Sequence, residues 1–351
     1  MWYVSCMKAI RLTVWEEPAR LVDVPTPEPG PGEVLVRVAG AGLCHSDLHL
    51  MHWRAGALPY ELPFTLGHEV AGTVAALGRG AEGLELGEPV LVYGPWGCGR
   101  CRACSVGAEH LCEGERTARG AGLGRDGGLA EYMVVPSPRL TVPLDGVDPV
   151  AAAPLADAGL TPYHAIRRAL HLLRPGASAV VIGVGGLGHV AVQLLKALSP
   201  ARVVAVDRRD EALDVAARGG ADAALPASGL SRAELRRAAQ RRGAALVVDC
   251  VGSDETLALA AGAVAPGGQV SVLGLAGGTF PMRFGGVPLE TPVIFSNWGT
   301  REELAEVVEL ARAGAVELEI ERVPLAAVPA AYERLAAGGC RGRLVAVAEE
   351  G

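Results

Sequence analysis

The sequence predicts a two-domain α/β protein, with a β-rich domain and a second domain of alternating strands and helices around a parallel sheet. The chain has 351 residues, more than a single hydrophobic core usually holds, so two domains are expected. The first part contains short apolar runs separated by Gly and Pro, whereas from about Ser178 strand and helix patterns alternate. Hydrophobic residues make up 50% and charged residues 20%, which is typical of a folded chain.

Four apolar runs in the first part are predicted to be strands of a small barrel or sandwich, because many short strands with turn signals are typical of those folds. They are residues 33–38, 70–75, 89–93 and 131–135. The first ten residues lack a basic segment followed by an apolar one, so no signal peptide is predicted. Met7 offers a second start, and residues 1–6 are expected to be an extension or a flexible tail.

In the second part, the alternation of strand and helix patterns indicates right-handed βαβ units and a parallel sheet. The predicted strands are 179–183, 202–207, 221–225, 245–249, 269–273 and 292–296. The predicted helices between them are 186–198, 211–218, 231–241 and 254–263. From Arg301 onward we predict a helix, a short strand at 323–324, a helix at 329–337 and a last strand at 343–347. This tail is expected to return to the first domain.

The chain is mildly acidic, with 32 Lys and Arg against 39 Asp and Glu and a net charge of −7. Phosphate binding needs a basic surface, so nucleic acid is not expected as a partner, and Arg236-Arg237 and Arg241-Arg242 are interpreted as a solvated helix end. No run of about 18 apolar residues indicates a membrane span. We therefore expect a cytosolic protein whose eight cysteines are better interpreted as metal ligands and free thiols, with Cys6, Cys250 and Cys340 inert, than as disulfides.

A glycine-rich turn is the first candidate site. Residues 183–188 match G-x-G-x-x-G, follow an apolar strand and open a helix, and Asp207 ends the next strand. Such a turn brings backbone N–H groups to a dinucleotide pyrophosphate, and a carboxylate at Asp207 favours NAD over NADP. Arg208 and Arg209 follow directly, and arginines there can also bind a 2′-phosphate. The predicted cofactor-binding residues of this region are Gly183, Gly185, Gly186, Leu187, Gly188, Asp207 and Arg208.

Four cysteines at C-x2-C-x2-C-x7-C spacing form a second candidate site. Cys98, Cys101, Cys104 and Cys112 can close around Zn²⁺ tetrahedrally and leave no position open, which indicates a structural metal. An iron–sulfur cluster is the alternative. The lack of a Pro after the last cysteine and the separate redox-cofactor site favour zinc.

Three further stretches together offer a catalytic metal site: residues 44–49 (CHSDLH), residues 67–69 (GHE) and residues 156–161 (ADAGLT). They supply one thiolate, one imidazole and one carboxylate. Three protein ligands with a free fourth position are typical of catalytic zinc.

On these residues, the chain resembles the zinc-dependent medium-chain alcohol dehydrogenases over essentially its whole length. The shared features are the 44–47 segment, residues 67–69, the four-cysteine lobe, the glycine-rich turn and the late Gly342-Arg343. The stretches 92–98, 155–164 and 298–301 look especially like NAD-dependent secondary-alcohol dehydrogenases of actinobacteria. The resemblance implies a Rossmann dinucleotide-binding domain at 159–299 and a GroES-like, β-rich catalytic domain at 1–158 and 300–351.

The resemblance also implies roles for individual residues. Cys44, His68 and Asp157 would hold the catalytic zinc, with Glu69 beside it as a transient ligand and Asp47 orienting His68. Many relatives have Cys where this sequence has Asp157. Further implied roles are a proton relay through Ser46 and His49, pyrophosphate contacts from His45 and Arg343, nicotinamide contact from Thr161, and pocket walls at Tyr60, Leu123 and Trp298.

The expected chemistry is the reversible oxidation of alcohols, in which zinc stabilises the alkoxide and a hydride passes to NAD. An apolar secondary alcohol is the expected substrate, and polyols and amino alcohols are alternatives. The rival interpretations are a zinc-free reductase of the same superfamily and a non-catalytic NAD-binding protein. Relatives are dimers or tetramers, so a closed homo-oligomer with two zinc ions per subunit is expected.

Overall fold

The described part of the chain divides into two compact units. The computed structural model describes residues 5–114, 120–240, 242–280 and 283–348. Unit 1 comprises the described residues of Met1–Asp157, Trp298–Arg312 and Leu318–Gly351, and unit 2 those of Ala158–Asn297 and Ala313–Glu317. Arg241, which the sequence assigned to a helix end, lies outside the described residues.

Unit 1 is built mainly of short strands, separated by Gly- and Pro-containing turns that end each apolar run. Within the described ranges they are β1 (Cys6–Leu12), β2 (Arg20–Pro25), β3 (Val34–Gly42), β4 (Phe64–Thr65), β5 (Glu69–Leu77), β6 (Pro89–Val92), β7 (Gly120–Ala121), β8 (Gly124–Arg125), β9 (Tyr132–Val135), β10 (Thr141–Pro143), β17 (Ile320–Pro324) and β18 (Arg343–Val347). Its helices there are α1 (His45–His52), α2 (Arg102–Ser105), α3 (Pro149–Ala152), α9 (Arg301–Arg312) and α10 (Val328–Ala336).

The main sheet of unit 1 joins the two ends of the chain. Its order among the described strands is β10-β6-β5-β3-β18-β17, and β9 also pairs with β3. The C-terminal strand β18 runs antiparallel to β3, with Val345 opposite Gly42 and Ala346 opposite Ala41. The predicted return of the tail to the first part of the chain is therefore confirmed.

The N-terminal end of unit 1 differs from the prediction. β1 and β2 were not predicted, and they form an antiparallel pair in which Cys6 lies opposite Pro25. Ser5 accepts a backbone hydrogen bond from Thr26 at 2.8 Å. The expected tail is therefore wrong for residues 5 and 6, and residues 1–4 lie outside the described residues. The alternation in β1 is broken by consecutive buried Ala9 and Ile10, which hides its strand pattern.

Unit 2 is a parallel sheet with helical connections, as predicted. Its strands, among the described residues, are β11 (Ser178–Ile182), β12 (Arg202–Asp207), β13 (Ala223–Pro226), β14 (Ala244–Asp249), β15 (Val264–Val272) and β16 (Val293–Phe295). They lie in the order β13-β12-β11-β14-β15-β16, and all neighbours are parallel. Every residue of β11 is buried, because a central parallel strand is covered on both faces.

The helices of unit 2 are α4 (Leu160–Ala169), α5 (Gly188–Leu198), α6 (Asp210–Arg218), α7 (Arg232–Ala238) and α8 (Asp254–Ala263). Ser231 and Ser253 accept hydrogen bonds from the third residue of α7 and α8, which fixes where these helices begin. α5 starts two residues after its predicted beginning, because Gly186 and Leu187 belong to the turn. None of the helices within the described ranges is long and apolar enough to cross a bilayer.

Candidate active site and cysteine lobe

Three loops of unit 1 bring Cys44, His68 and Asp157 together. Cys44 is the residue before α1, where the chain leaves β3. His68 lies between β4 and β5, after Gly67, which has a φ of +98°. A Cβ at Gly67 would lie 2.7 Å from the Leu129 backbone nitrogen, so only glycine fits this approach. Asp157 follows a 3-10 turn at Ala153–Ala156.

The spacing of these three side chains suits a zinc ion. Asp157 Oδ2 lies 3.7 Å from Cys44 Sγ and 3.6 Å from His68 Nε2. A tetrahedral zinc at its usual bond lengths places such donor atoms about 3.5 Å apart. All three donor atoms lie within 4.8 Å of one another, and the side chains of His68 and Asp157 are 2% and 13% exposed. One thiolate, one imidazole and one carboxylate leave a fourth position open for an oxygen ligand.

Asp47 supports two of these ligands. Its Oδ2 accepts the Cys44 backbone N–H at 3.0 Å, and its Oδ1 lies 3.3 Å from His68 Nδ1. Burial lowers the pKa of His68, but the charge of Asp47 and bonds to Asp157, Asp47 and Cys44 raise it, and the net direction is well above the ordinary value. These groups favour a positive charge on or beside the imidazole, which a proton or a metal ion can supply.

Glu69, the predicted transient ligand, is locked in a buried ion pair. Arg343 Nε donates to Oε2 at 2.8 Å and Nη2 to Oε1 at 2.5 Å. The side chains are 0% and 3% exposed. Arg343 Nη2 also lies 3.8 Å from Asp157. Both carboxylate oxygens of Glu69 are therefore engaged by one guanidinium, and the roles predicted for Glu69 at the metal and Arg343 at the pyrophosphate stay predictions.

The predicted relay residues lie on α1, beside the metal-binding group. Ser46 Oγ lies 3.5 Å from Cys44 Sγ. His49 is half-buried, and burial, followed by the charge of His52, lowers its pKa. His49 is therefore neutral at pH 7 and can accept a proton. His45, predicted to contact the cofactor, is exposed at the start of the same helix.

The four cysteines form a separate lobe in unit 1. The Sγ atoms of Cys98 and Cys104 lie 4.0 Å apart and those of Cys101 and Cys112 lie 3.9 Å apart, close to the roughly 3.8 Å edge of a tetrahedral zinc–thiolate site. Backbone N–H groups of Cys98 and Gly114 donate to Cys112 Sγ at 3.2 and 3.3 Å. Hydrogen bonds from backbone amides lower the pKa of Cys101 to about 6, which favours the thiolate form that binds metal.

The glycine-rich turn of unit 2 has the geometry of a dinucleotide site. Gly188 begins α5, and a Cβ there would lie 1.8 Å from the Gly183 carbonyl oxygen, whereas nothing lies within 4 Å of a Cβ on Gly185. The backbone at Gly185 is thus open to a phosphate. Asp207 Oδ2 accepts the Val184 N–H at 2.7 Å, which ties the turn to the end of β12.

The arginines after Asp207 differ in their surroundings. Arg209 Nε lies 3.5 Å from Asp207 Oδ1, and its backbone N–H donates to the same oxygen at 2.9 Å. Arg208 is exposed. Thr161, the residue predicted to face the nicotinamide, is the second residue of α4 and is 2% exposed.

Of the three predicted pocket residues, Trp298 packs against a member of the metal-binding group. Its ring meets that of His68 edge to face at 6.1 Å. The Tyr93 hydroxyl donates to the Gly299 carbonyl at 2.7 Å, and Trp298 itself has a φ of +53°. Tyr60 packs against Phe64 at 6.2 Å between ring centroids, and Leu123 is partly buried.

Tyr332 is a residue of this site that was not predicted from the sequence. Its hydroxyl donates to Asp47 Oδ2 at 2.9 Å, although the two residues are 285 positions apart. Tyr332 lies on the apolar face of α10, where a tyrosine is normally interpreted as core. No local pattern could identify its partner.

Comparisons with known proteins identify a family for each part of the chain. Residues 30–146 match the alcohol dehydrogenase GroES-like domain, and residues 186–313 match the zinc-binding dehydrogenase domain. The chain is 38% identical to an NAD-dependent alcohol dehydrogenase of Sulfurisphaera tokodaii, over 89% of this chain and 91% of the relative.

Two solved structures resemble the whole chain. The alcohol dehydrogenase of Aeropyrum pernix has a TM-score of 0.89 and 37% identity, covering 97% of this chain and 99% of its own. The acetophenone reductase of Geotrichum candidum, solved with NAD, has a TM-score of 0.84 and 33% identity, covering 97% of each chain.

The chain belongs to the zinc-containing medium-chain alcohol dehydrogenase family. The predicted fold class, a GroES-like domain with a Rossmann domain, is confirmed. The predicted enzyme class, an alcohol dehydrogenase that uses zinc and NAD, is confirmed as well.

Proposed function

We propose that this chain interconverts apolar secondary alcohols and their ketones with NAD, using a zinc ion held by Cys44, His68 and Asp157. The observation that carries the proposal is the convergence of these three donors, with spacings close to those of a tetrahedral site. When bound, the zinc supplies a Lewis acid that polarises an alcohol or carbonyl oxygen. A second zinc is proposed to bind the four cysteines of the lobe, which leave no coordination position open, and to stabilise the fold of that loop.

The residues around the donors are proposed to handle the proton. Ser46 Oγ, 3.5 Å from Cys44 Sγ, takes up the hydroxyl proton of the substrate while its own hydroxyl proton passes on toward His49. His49, whose pKa is lowered by burial and then by His52, is the proposed exit to solvent because it is neutral at pH 7. Glu69 is proposed as a transient ligand that Arg343 normally holds away, and Asp47 as the acceptor that orients His68.

The cofactor is proposed to bind along the glycine-rich turn, with its pyrophosphate over Gly183–Gly188 and its adenosine ribose at Asp207. The open space at Gly185 supports the first contact, and the position of Asp207 at the end of β12 supports the second. The Arg209 side chain lies beside the Asp207 carboxylate, so this arginine is less available to bind a 2′-phosphate. The remaining proposed cofactor contacts are His45, Thr161, Arg208 and Arg343.

The substrate class follows from the proposed pocket. Trp298 presents its ring edge to face with His68, and Tyr60 and Leu123 are the other proposed walls. These side chains carry no charge, which supports a small apolar alcohol rather than an acidic or phosphorylated one. The similarity to an acetophenone reductase supports a ketone as the oxidised partner. The finer placement with secondary-alcohol dehydrogenases of actinobacteria stays a prediction, since the similar proteins described above come from archaea and a fungus.

We also propose a homo-oligomer, dimeric or tetrameric, in the reducing cytoplasm. The last strand of the unit 2 sheet, β16, lies at its edge, and Phe295 on it is 69% exposed. An exposed edge with a large apolar side chain is typical of a surface that another chain covers. The cytoplasm is supported by the need to keep the metal-binding cysteines as thiolates.

The test is a kinetic screen combined with metal analysis. Purified protein is offered 2-propanol, 1-phenylethanol, ethanol and a polyol with NAD⁺ or NADP⁺, and NADH formation is followed at 340 nm. We expect activity with secondary alcohols and NAD⁺, and two zinc ions per subunit. Cys44→Ser should lose one zinc and all turnover, whereas Cys250→Ser, which changes a partly buried thiol in unit 2, should keep both zinc ions and its turnover. Zinc confined to the four-cysteine lobe of active enzyme would refute the proposal.

A further inference from the structure

We infer that Tyr332 is a positioning residue for the catalytic metal site, and that its hydroxyl fixes the Asp47 carboxylate through which Cys44 and His68 are held. The inference deepens the proposed function and rests on it, because it concerns how that metal is retained. It gives the returning C-terminal segment a direct part in the site.

The contacts form one chain of side chains. The Tyr332 hydroxyl donates to Asp47 Oδ2 at 2.9 Å, and the same oxygen accepts the Cys44 backbone N–H at 3.0 Å. The other oxygen of Asp47 lies 3.3 Å from His68 Nδ1. Because two donors hold Oδ2, the plane of the carboxylate is fixed and Oδ1 faces the imidazole. His68 Nε2 is left to point toward Asp157, 3.6 Å away.

The hydrogen bond from the Tyr332 hydroxyl to Asp47 is buried. Tyr332 is 4% exposed and Asp47 0% exposed, so water cannot replace the missing donor if the hydroxyl is removed. Burial, followed by the charge of Asp47, raises the pKa of Tyr332, and its hydroxyl therefore stays a donor across the neutral range. A phenylalanine would fill the same space on α10 but would leave the carboxylate free to turn away from His68.

The orientation of a ligating histidine by its partner usually contributes 10- to 100-fold in metal affinity. We therefore expect Tyr332→Phe to release the zinc of the Cys44 site roughly 10- to 100-fold more readily than the unchanged protein. Among the described residues, the hydrogen bonds given for Tyr332 and for the four cysteines share no partner, and the zinc of the lobe should be released at the unchanged rate.

The experiment measures release of each zinc to a chromogenic chelator from the full-length holoenzyme, with no substrate present. In Cys44→Ser the remaining zinc is that of the four-cysteine lobe, so this variant shows which kinetic phase of zinc release belongs to the lobe. The matched control is Tyr93→Phe, because Tyr93 is equally buried and its hydroxyl donates to the backbone carbonyl of Gly299 instead of a carboxylate. The visible spectrum of the cobalt-substituted protein gives a second readout, since it reports the geometry at the single thiolate.

A double-mutant cycle with Asp47→Asn separates positioning from general loosening. If Tyr332 acts through the carboxylate, Tyr332→Phe should change zinc release little once Asp47 has been changed. Unchanged release in Tyr332→Phe, equal loosening of both zinc ions, or the same effect in Tyr93→Phe would overturn the inference. Failure of the unchanged protein to hold zinc at Cys44 would instead overturn the proposed function.

Discussion

The buried pair of Glu69 and Arg343 gives a sharp stability prediction. Arg343 engages both carboxylate oxygens of Glu69, at 2.8 and 2.5 Å, and the two side chains are 0% and 3% exposed. Arg343→Met removes the cation but leaves Glu69 buried, with Asp157 nearby. Two unit charges about 4 Å apart interact by about 4 kcal/mol at an effective dielectric constant of 20. Removing one partner of a buried pair costs about 3–5 kcal/mol, and we expect Arg343→Met to lower the free energy of unfolding by that amount.

The double variant tests the reason for the loss. Glu69→Leu with Arg343→Met replaces the pair by apolar side chains of similar size, and such replacements are often close to neutral. We therefore expect the double variant to be more stable than Arg343→Met alone. Arg334→Met is the surface control: Arg334 also engages both oxygens of its partner Glu321, but the side chains are 47% and 41% exposed, and we expect no measurable change.

The assay follows urea unfolding by tryptophan fluorescence at a fixed zinc concentration. All four tryptophans of the described residues belong to unit 1, so their signal reports the unit that contains the pair. Additive losses in the double variant would refute the reasoning, because an unpaired charge cannot then be the cause. The reasoning would also be refuted if Arg334→Met lowered the free energy of unfolding as much as Arg343→Met does.

Three further predictions concern catalysis. Asp207→Ser should lower kcat/KM for NAD⁺ roughly 10- to 100-fold, because a charged acceptor contributes about 1.5–3 kcal/mol per hydrogen bond, and should spare NADP⁺; equal losses with both cofactors would contradict this. His49→Gln should lower kcat by up to about a hundredfold, with partial rescue by imidazole buffer. Because burial and His52 lower the pKa of His49, the unchanged enzyme should keep its activity below pH 6.5. A decline centred at or above pH 6.5 would argue against the relay. Gly94→Ala places a Cβ 3.1 Å from the Trp298 ring and should raise KM for 1-phenylethanol more than for 2-propanol, whereas Gly339→Ala, with its nearest neighbour at 3.6 Å, should change neither; a uniform effect on both alcohols would exclude Trp298 as a pocket wall.

The parallel sheet of unit 2 could be predicted closely from the sequence, because most of its strands are apolar runs and helices connect β11 through β15 in turn. The predicted helix 254–263 and strand 202–207 coincide with α8 and β12. β15 was predicted to start at Gln269 but begins at Val264, since the Pro-Gly-Gly stretch at 266–268 looks like a turn in isolation. β1 and β2 were missed, because the first is irregular in its alternation and the second has no buried residue.

The metal-binding groups could be predicted because cysteines, histidines and carboxylates at such spacing seldom have another function. Cys44, His68 and Asp157 were chosen from three separate stretches, and the fold brings their donor atoms within 4.8 Å of one another. What supports these ligands could not be predicted in the same way. A hydrogen bond between Tyr332 and Asp47 depends on where α10 packs, and that is set by the whole sheet and not by neighbouring sequence.

The C-terminal segment thus does more than complete the main sheet of unit 1. His68 is followed directly by Glu69, and its Nδ1 faces Asp47, so two buried carboxylates flank the same metal ligand. Each of them is held by a residue that arrives after position 318: Glu69 by Arg343 on β18, and Asp47 by Tyr332 on α10. Both carboxylates are buried, and these partners donate hydrogen bonds to oxygens that bulk water does not reach. Metal retention in the N-terminal loops should therefore depend on the docking of this C-terminal segment, even though no described residue of it belongs to the metal-binding groups.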